Sequence, residues 1–216
     1  MKEIVDNILN LIYPPVCGFC NKICKESLCK KCEIKIKEYE INSIRKVKDK
    51  YFDELLCLFK YENFIRNTLI EYKFQNKAYL YKTLSKIILN NEKICGFLKN
   101  YDIIIPVPIS KRRKQKRGYN QSYLIAKEIA KFTNLKCQNK CLVKIKDTLE
   151  QSKLNKNQRR TNLQGAYEVI NKEELINKNV LLLDDIYTTG NTVNECAKTL
   201  KEKGINNIGV ITIAKD

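Results

Sequence analysis

Apolar and polar positions along this chain follow two different periods, and each change of period marks an element. Short continuous apolar runs bounded by polar residues occur at 102–108, 179–184 and 207–213. Each predicts a strand buried on both faces. Between them apolar residues recur at helical spacing. Residues 62–72 and 78–89 predict two helices, and 119–133 a third with Tyr123, Leu124, Ala126, Ile129 and Ala130 on its apolar side. A fourth spans roughly 192–203 and is closed by Gly204. Segments 54–60 and 165–170 are strand-like. At the start, Ile4, Val5, Ile8, Leu9, Leu11 and Ile12 predict a short amphipathic helix packed on its own protein and ended by Pro14 and Pro15. Residues 33–50 are charged and weakly periodic and read as a helix tail and linker. Strands alternating with helices predict a parallel α/β sheet. The division expected is an N-terminal helix and finger region over residues 1–50 and a main domain over 51–216.

One stretch organises the rest. Val180 to Leu183 run directly into Asp184 and Asp185, and Thr188, Thr189, Gly190, Asn191 and Thr192 then lead into a helical segment. Ligands of open α/β sheets bind at the carboxyl ends of such strands. A Thr/Gly/Asn loop opening a helix offers backbone N–H groups and hydroxyls to a phosphate. The paired carboxylates repel phosphate and suit hydroxyls or a hydrated metal. Phosphate on one side and a diol on the other describe a sugar phosphate.

Cysteine spacing adds a second site. Cys17 and Cys20, then Cys29 and Cys32, form two C-x-x-C knuckles that can close on one tetrahedral Zn²⁺. Four protein ligands leave no open position, so such a zinc is structural. Cys24 lies between the knuckles and reads as a non-ligand, while Cys57, Cys95, Cys137, Cys141 and Cys196 read as small apolar residues. The chain has ten cysteines and no histidine. Catalytic arrangements that need an imidazole base are therefore excluded, as is a mixed Cys/His metal site.

Charge changes the picture at one place. The net charge is +17 over 216 residues, which favours phosphate-bearing partners, although lysines are spread throughout. Six of the eight residues from Lys111 to Gly118 are basic, and the run follows the end of a predicted core strand. Lys111, Arg112, Arg113 and Arg117 there can meet a pyrophosphate, a nucleic-acid phosphate, or only solvent. No apolar run approaches the roughly 18 residues of a membrane-spanning helix, and the N-terminus does not read as a secretory signal. A cytoplasmic protein is expected.

These motifs resemble a known family. The stretch from Asp184 to Thr192 is similar to the phosphoribosyl pyrophosphate (PRPP) signature of type I phosphoribosyltransferases. Across nearly the whole chain the motifs resemble the ComF (competence protein F) family. The resemblance rests on the four finger cysteines, on Pro106-Val107-Pro108 with the basic run to Gln121, and on Thr148, Gln151, Arg159, Asn162 and Gly165-Ala166-Tyr167. It also rests on Asp184 to Gly190, where Tyr187 is normal for the narrow family and unusual for the broad one. The resemblance implies a phosphoribosyltransferase-like domain with a zinc finger. Asp184 and Asp185 would be the catalytic pair, holding the ribose hydroxyls, and the Thr188–Thr192 loop would hold the 5-phosphate. Mg²⁺ would arrive with PRPP. It further implies a role in natural transformation, with single-stranded DNA and a helicase-like ATPase as partners. The alternative is a non-catalytic DNA-binding or scaffolding module that keeps the fold.

Overall fold

The computed structural model describes residues 14–148 and 162–216. The N-terminal helix expected at 3–12, and Gln151 and Arg159 of the third motif, lie outside them. In chain order the elements are α1 (Lys30–Lys37), β1 (Glu40–Lys46), β2 (Glu54–Lys60), α2 (Asn63–Phe74), α3 (Leu80–Leu89) and α4 (Glu92–Leu98). Then come β3 (Ile103–Pro106), α5 (Lys111–Arg117), α6 (Gln121–Phe132), β4 (Lys136–Cys137), β5 (Leu142–Lys144) and β6 (Tyr167–Val169). The last are β7 (Val180–Tyr187), α7 (Asn191–Lys201) and β8 (Ile208–Lys215).

Six strands form one sheet in the order β1-β2-β8-β7-β3-β4, and β5 and β6 make a separate antiparallel hairpin. Among the described residues, only the β1–β2 pair of the six-stranded sheet is antiparallel. Because successive side chains point to opposite faces, an apolar run supplies both cores at once. Leu181 and Leu183 enter one core while Val180 and Leu182 enter the other. Ile211 and Ile213 oppose Ile208 and Val210 in the same way. Helices α2, α3, α4 and α6 cover the first face, and α7 with the β5–β6 hairpin covers the second.

Three segments differ from expectation. Residues 40–46, read as linker, form edge strand β1, paired to β2 from Ser43–Cys57 to Lys46–Glu54. An edge strand tolerates charge, so its apolar signal is only Ile41 and Ile44, one against each core. The basic run forms helix α5. Ser110 accepts a hydrogen bond from the Arg113 N–H, and Gly118 closes the helix at φ +80°. Long unbranched side chains between such caps favour a helix. In α6 the buried face is Gln121, Ser122, Ile125, Ala126 and Ile129, so Tyr123 and Leu124 stand at its margin.

The cysteine finger docks on its own domain. Gly18 approaches α3 so closely that a Cβ there would stand 3.1 Å from Leu80 Cδ2. The Thr83 hydroxyl donates to the Ser27 carbonyl at 2.9 Å, and Tyr79 donates to Asn21 at 2.8 Å. Phe19 stacks on Phe64 of α2 at 5.1 Å, an aromatic pair worth about 0.5–1.5 kcal/mol beyond its buried area. No helix among the described residues is long and apolar enough to cross a membrane.

Candidate functional site

The site lies at the carboxyl end of β7. Strand β3 pairs with β7 only as far as Pro106–Leu183. Beyond that point β7 continues along β8 alone, with Asp184 opposite Thr212. Among the described residues the β3 side of β7 is therefore unpaired beside Asp184 and Asp185, at a strand end where α/β sheets bind ligands.

The two carboxylates have different neighbours. Asp185 is held by Lys73 of α2 at 2.9 Å, and both side chains are mostly buried. Its N–H donates to Asp184 Oδ1 at 2.9 Å. Asp184 lies within electrostatic reach of Lys144 on the β5–β6 hairpin. Burial, and then the neighbouring Asp185, push its carboxyl up to about 7. The Asp185 N–H, Lys73 and Lys144 act in the opposite direction. Lys144 is itself pulled down to about 8, by burial and then by Arg113. Its ammonium donates to Thr148 at 2.7 Å and lies over the Tyr167 ring at 5.3 Å. The β5–β6 hairpin thus brings a desolvated lysine to the acidic pair.

Past Tyr187 the chain turns into α7. Gly190 takes the left-handed conformation (φ +73°) as the residue before the helix, and no side chain caps it. The Tyr187 ring packs against Gly190, and the Arg45 guanidinium of β1 lies 5.9 Å over that ring. Thr188 is exposed, and Asn191 and Thr192 are half-buried at the helix start. The Thr189 hydroxyl is buried with no hydrogen-bond partner among the described residues. An orphaned hydroxyl costs about 1–3 kcal/mol, and a bound anion would relieve it.

The four basic residues singled out from sequence are divided by helix α5. Arg113 and Arg117 are four residues apart, share a face, and are half-buried. Arg113 acts electrostatically on Lys144 and Tyr167. The Arg117 guanidinium lies 5.0 Å from the ring of Phe74, just past Lys73. Lys111 and Arg112 are exposed. Lys73 and Lys144 escaped the sequence reading. Lys73 sits one residue past the helical pattern at 62–72, and the segment Lys73-Phe74-Gln75-Asn76-Lys77 had the basic, polar character that could have marked it. Lys144 carries no comparable signal, since its strand has three residues.

Cys17, Cys20, Cys29 and Cys32 bring their sulfurs within 4.8 Å of one another, so they could bind a metal such as zinc. The Cys20–Cys29 sulfur distance is 3.7 Å. A tetrahedron of Zn–S bonds near 2.3 Å has edges of about 3.8 Å, so the donor set fits. Burial raises the Cys17 thiol, but hydrogen bonds from the Cys29, Cys20 and Phe19 N–H groups outweigh it and pull it down to about 6. Cys24 stands apart from the cluster and donates to the Glu26 carbonyl at 2.7 Å. Of the other cysteines, Cys57, Cys141 and Cys196 are buried and Cys95 and Cys137 half-buried.

The phosphoribosyl transferase domain family matches residues 111–216. Competence protein F of Haemophilus influenzae is 30% identical over 168 residues, which cover 76% of this chain and 73% of that protein. Competence protein ComFC of Bacillus subtilis is 25% identical over 213 residues, 94% of this chain and 75% of that protein. DNA utilization protein YhgH of Escherichia coli is 24% identical over 196 residues, 88% of this chain and 85% of that protein.

Proposed function

This chain belongs to the competence protein F family, and from that premise we propose that it binds PRPP, or a closely related sugar phosphate, in the uptake of DNA during natural transformation. The observation that carries the reading is the join of Asp184 and Asp185 to a phosphate-type loop at the open end of β7. In this reading the carboxylates accept hydrogen bonds from the ribose 2- and 3-hydroxyls. The loop from Thr188 to Thr192 holds the 5-phosphate with backbone N–H groups, and the Thr189 hydroxyl gains its missing partner.

Pyrophosphate would sit on the opposite side, near Lys73, which pairs with Asp185, and near Arg113 and Arg117 on the half-buried face of α5. Mg²⁺, carried in with the ligand, would neutralise its oxygens through water and substrate contacts. Where an acceptor nucleophile forms its bond to C1 as the bond to pyrophosphate breaks, negative charge gathers on the leaving pyrophosphate. Fixed cations then stabilise the transition state more than the ground state. No protein nucleophile is needed. The finger cysteines would hold a structural zinc, and the protein would work in the cytoplasm beside a helicase-like ATPase.

A calorimetric titration with PRPP and Mg²⁺ tests the assignment. Saturable one-to-one binding is expected, with complete loss in the Asp184→Asn/Asp185→Asn variant. Unchanged affinity in that variant would reject the site.

A second reading is supported by one surface. Phe74 is 63% exposed, and a guanidinium stacks on it beside the basic helix α5. Aromatic and basic groups together suit the bases and backbone of single-stranded DNA. Affinity for an oligonucleotide should fall steeply with salt and fall further in Phe74→Ala. No binding even at low salt would dismiss it.

A further inference from the structure

Beside the loop that follows β7 lies a polar cavity of about 640 Å³ whose walls include Thr189 and Asn191. The acidic pair does not line it. The tip of the β1–β2 hairpin forms the opposite wall and contributes Lys48, Lys50 and Tyr51, while α7 contributes Asn194 and Lys198. The hairpin is fixed in this position. The Tyr51 N–H donates to Asn194 Oδ1 at 2.9 Å, and Lys201 pairs with Asp53 at 3.3 Å. Two acids also face the cavity, Asp49 and Glu195. Glu195 is engaged by the Gly165 N–H at 2.9 Å.

The cavity is too large for a phosphate alone, since a water molecule takes about 30 Å³. It falls in the roughly 300–1,000 Å³ range of small-ligand pockets. Three lysines and an orphaned hydroxyl suit an anion. A sugar seated on the acidic pair with its 5-phosphate in the loop would direct any 5-substituent into this space. We propose that the cavity is a subsite for a nucleotide joined through the ribose 5-phosphate. The ligand would then be an extended ribosyl phosphate, with a second phosphate between Lys48, Lys50 and Lys198. This inference rests on the 5-phosphate reading of the loop. The same chemistry occurs in a ribosyl dinucleotide and at the 3′ end of a nucleic-acid strand.

Calorimetry on the full chain compares ribose 5-phosphate, PRPP, ADP-ribose and a short single strand ending in a 3′ ribonucleotide. ADP-ribose, the strand or both should bind at least tenfold more tightly than ribose 5-phosphate. Lys48→Ala/Lys50→Ala, and the same pair with Lys198→Ala, should remove that advantage while ribose 5-phosphate stays within twofold. The double variant changes only the hairpin tip and leaves α7 intact. A lysine-dependent gain with ADP-ribose alone assigns a dinucleotide, and a gain with the strand assigns nucleic acid. If PRPP binds but neither extended ligand gains, or the gain survives the substitutions, the subsite is overturned and the PRPP reading stands. If PRPP and ribose 5-phosphate fail while an extended ligand binds through the lysines, the PRPP reading falls and the subsite stands. No binding by either extended ligand overturns the subsite.

Discussion

Tyr187 packs its ring against Gly190, so that a Cβ on Gly190 would stand 2.6 Å from the ring's Cε2. The glycine is required twice, once by this contact and once by its left-handed backbone. Gly190→Ala carries about 1–2 kcal/mol of backbone strain before any clash. Its melting temperature should fall by several degrees, and PRPP affinity by more than tenfold. Tyr187→Ala in the same chain should recover part of the stability, because the two losses share one contact. Thermal melts of the two single variants and the double variant read this directly.

Lys73 pairs with Asp185 at 2.9 Å and would face pyrophosphate when PRPP binds. Lys73→Ala is expected to weaken PRPP binding at least tenfold, with Lys73→Arg restoring part of it. Lys111→Ala, on the exposed side of α5, should change affinity less than twofold. Calorimetry on the three variants separates a cleft cation from general surface charge.

Asp184 makes stability depend on pH. Its folded carboxyl sits at about 7 against an ordinary 3.8. The folded chain therefore holds the proton more tightly than the unfolded one. The stability this provides is fully present below about 4, declines as pH rises, and is gone above about 7. Asp184→Asn cannot ionise and avoids the loss. Its melting temperature should match wild type near pH 4 and exceed it by a few degrees at pH 8. An equal difference at both pH values would contradict the assignment.

Zinc should be present at one ion per chain. Cys20→Ser should lose it, and Cys24→Ser should retain it, because Cys24 bonds to Glu26 outside the cluster. Since the finger packs on α2 and α3, chelation should also lower the melting temperature of the main domain. Metal analysis and a melt with and without chelator give the two readings.

Legible in the residues alone were the strands whose runs are apolar on both faces, the helix closed by Gly204, the spacing of the finger cysteines, and the Asp184–Thr192 stretch. These signals are local: a period, a cap or a spacing is complete within a short stretch, the longest being the sixteen residues from Cys17 to Cys32. Only the tertiary structure decided which distant groups meet that stretch. Lys73 and Lys144 reach the acidic pair because α2 and the β5–β6 hairpin cover opposite faces of the sheet. The neighbourhood of Lys144 carries no sign of it, and that of Lys73 only the basic, polar segment to Lys77. Residues 40–46 read as linker because an edge strand needs few apolar positions, yet their fold brings Arg45 over Tyr187 and the lysines of the following turn to a cavity shared with Thr189 and Asn191. Charge also hid the helix of Lys111–Arg117, which has no apolar period of its own and is bounded by the Ser110 and Gly118 caps. Local pattern determines an element, whereas the pairing of side chains across elements depends on packing that no single stretch encodes.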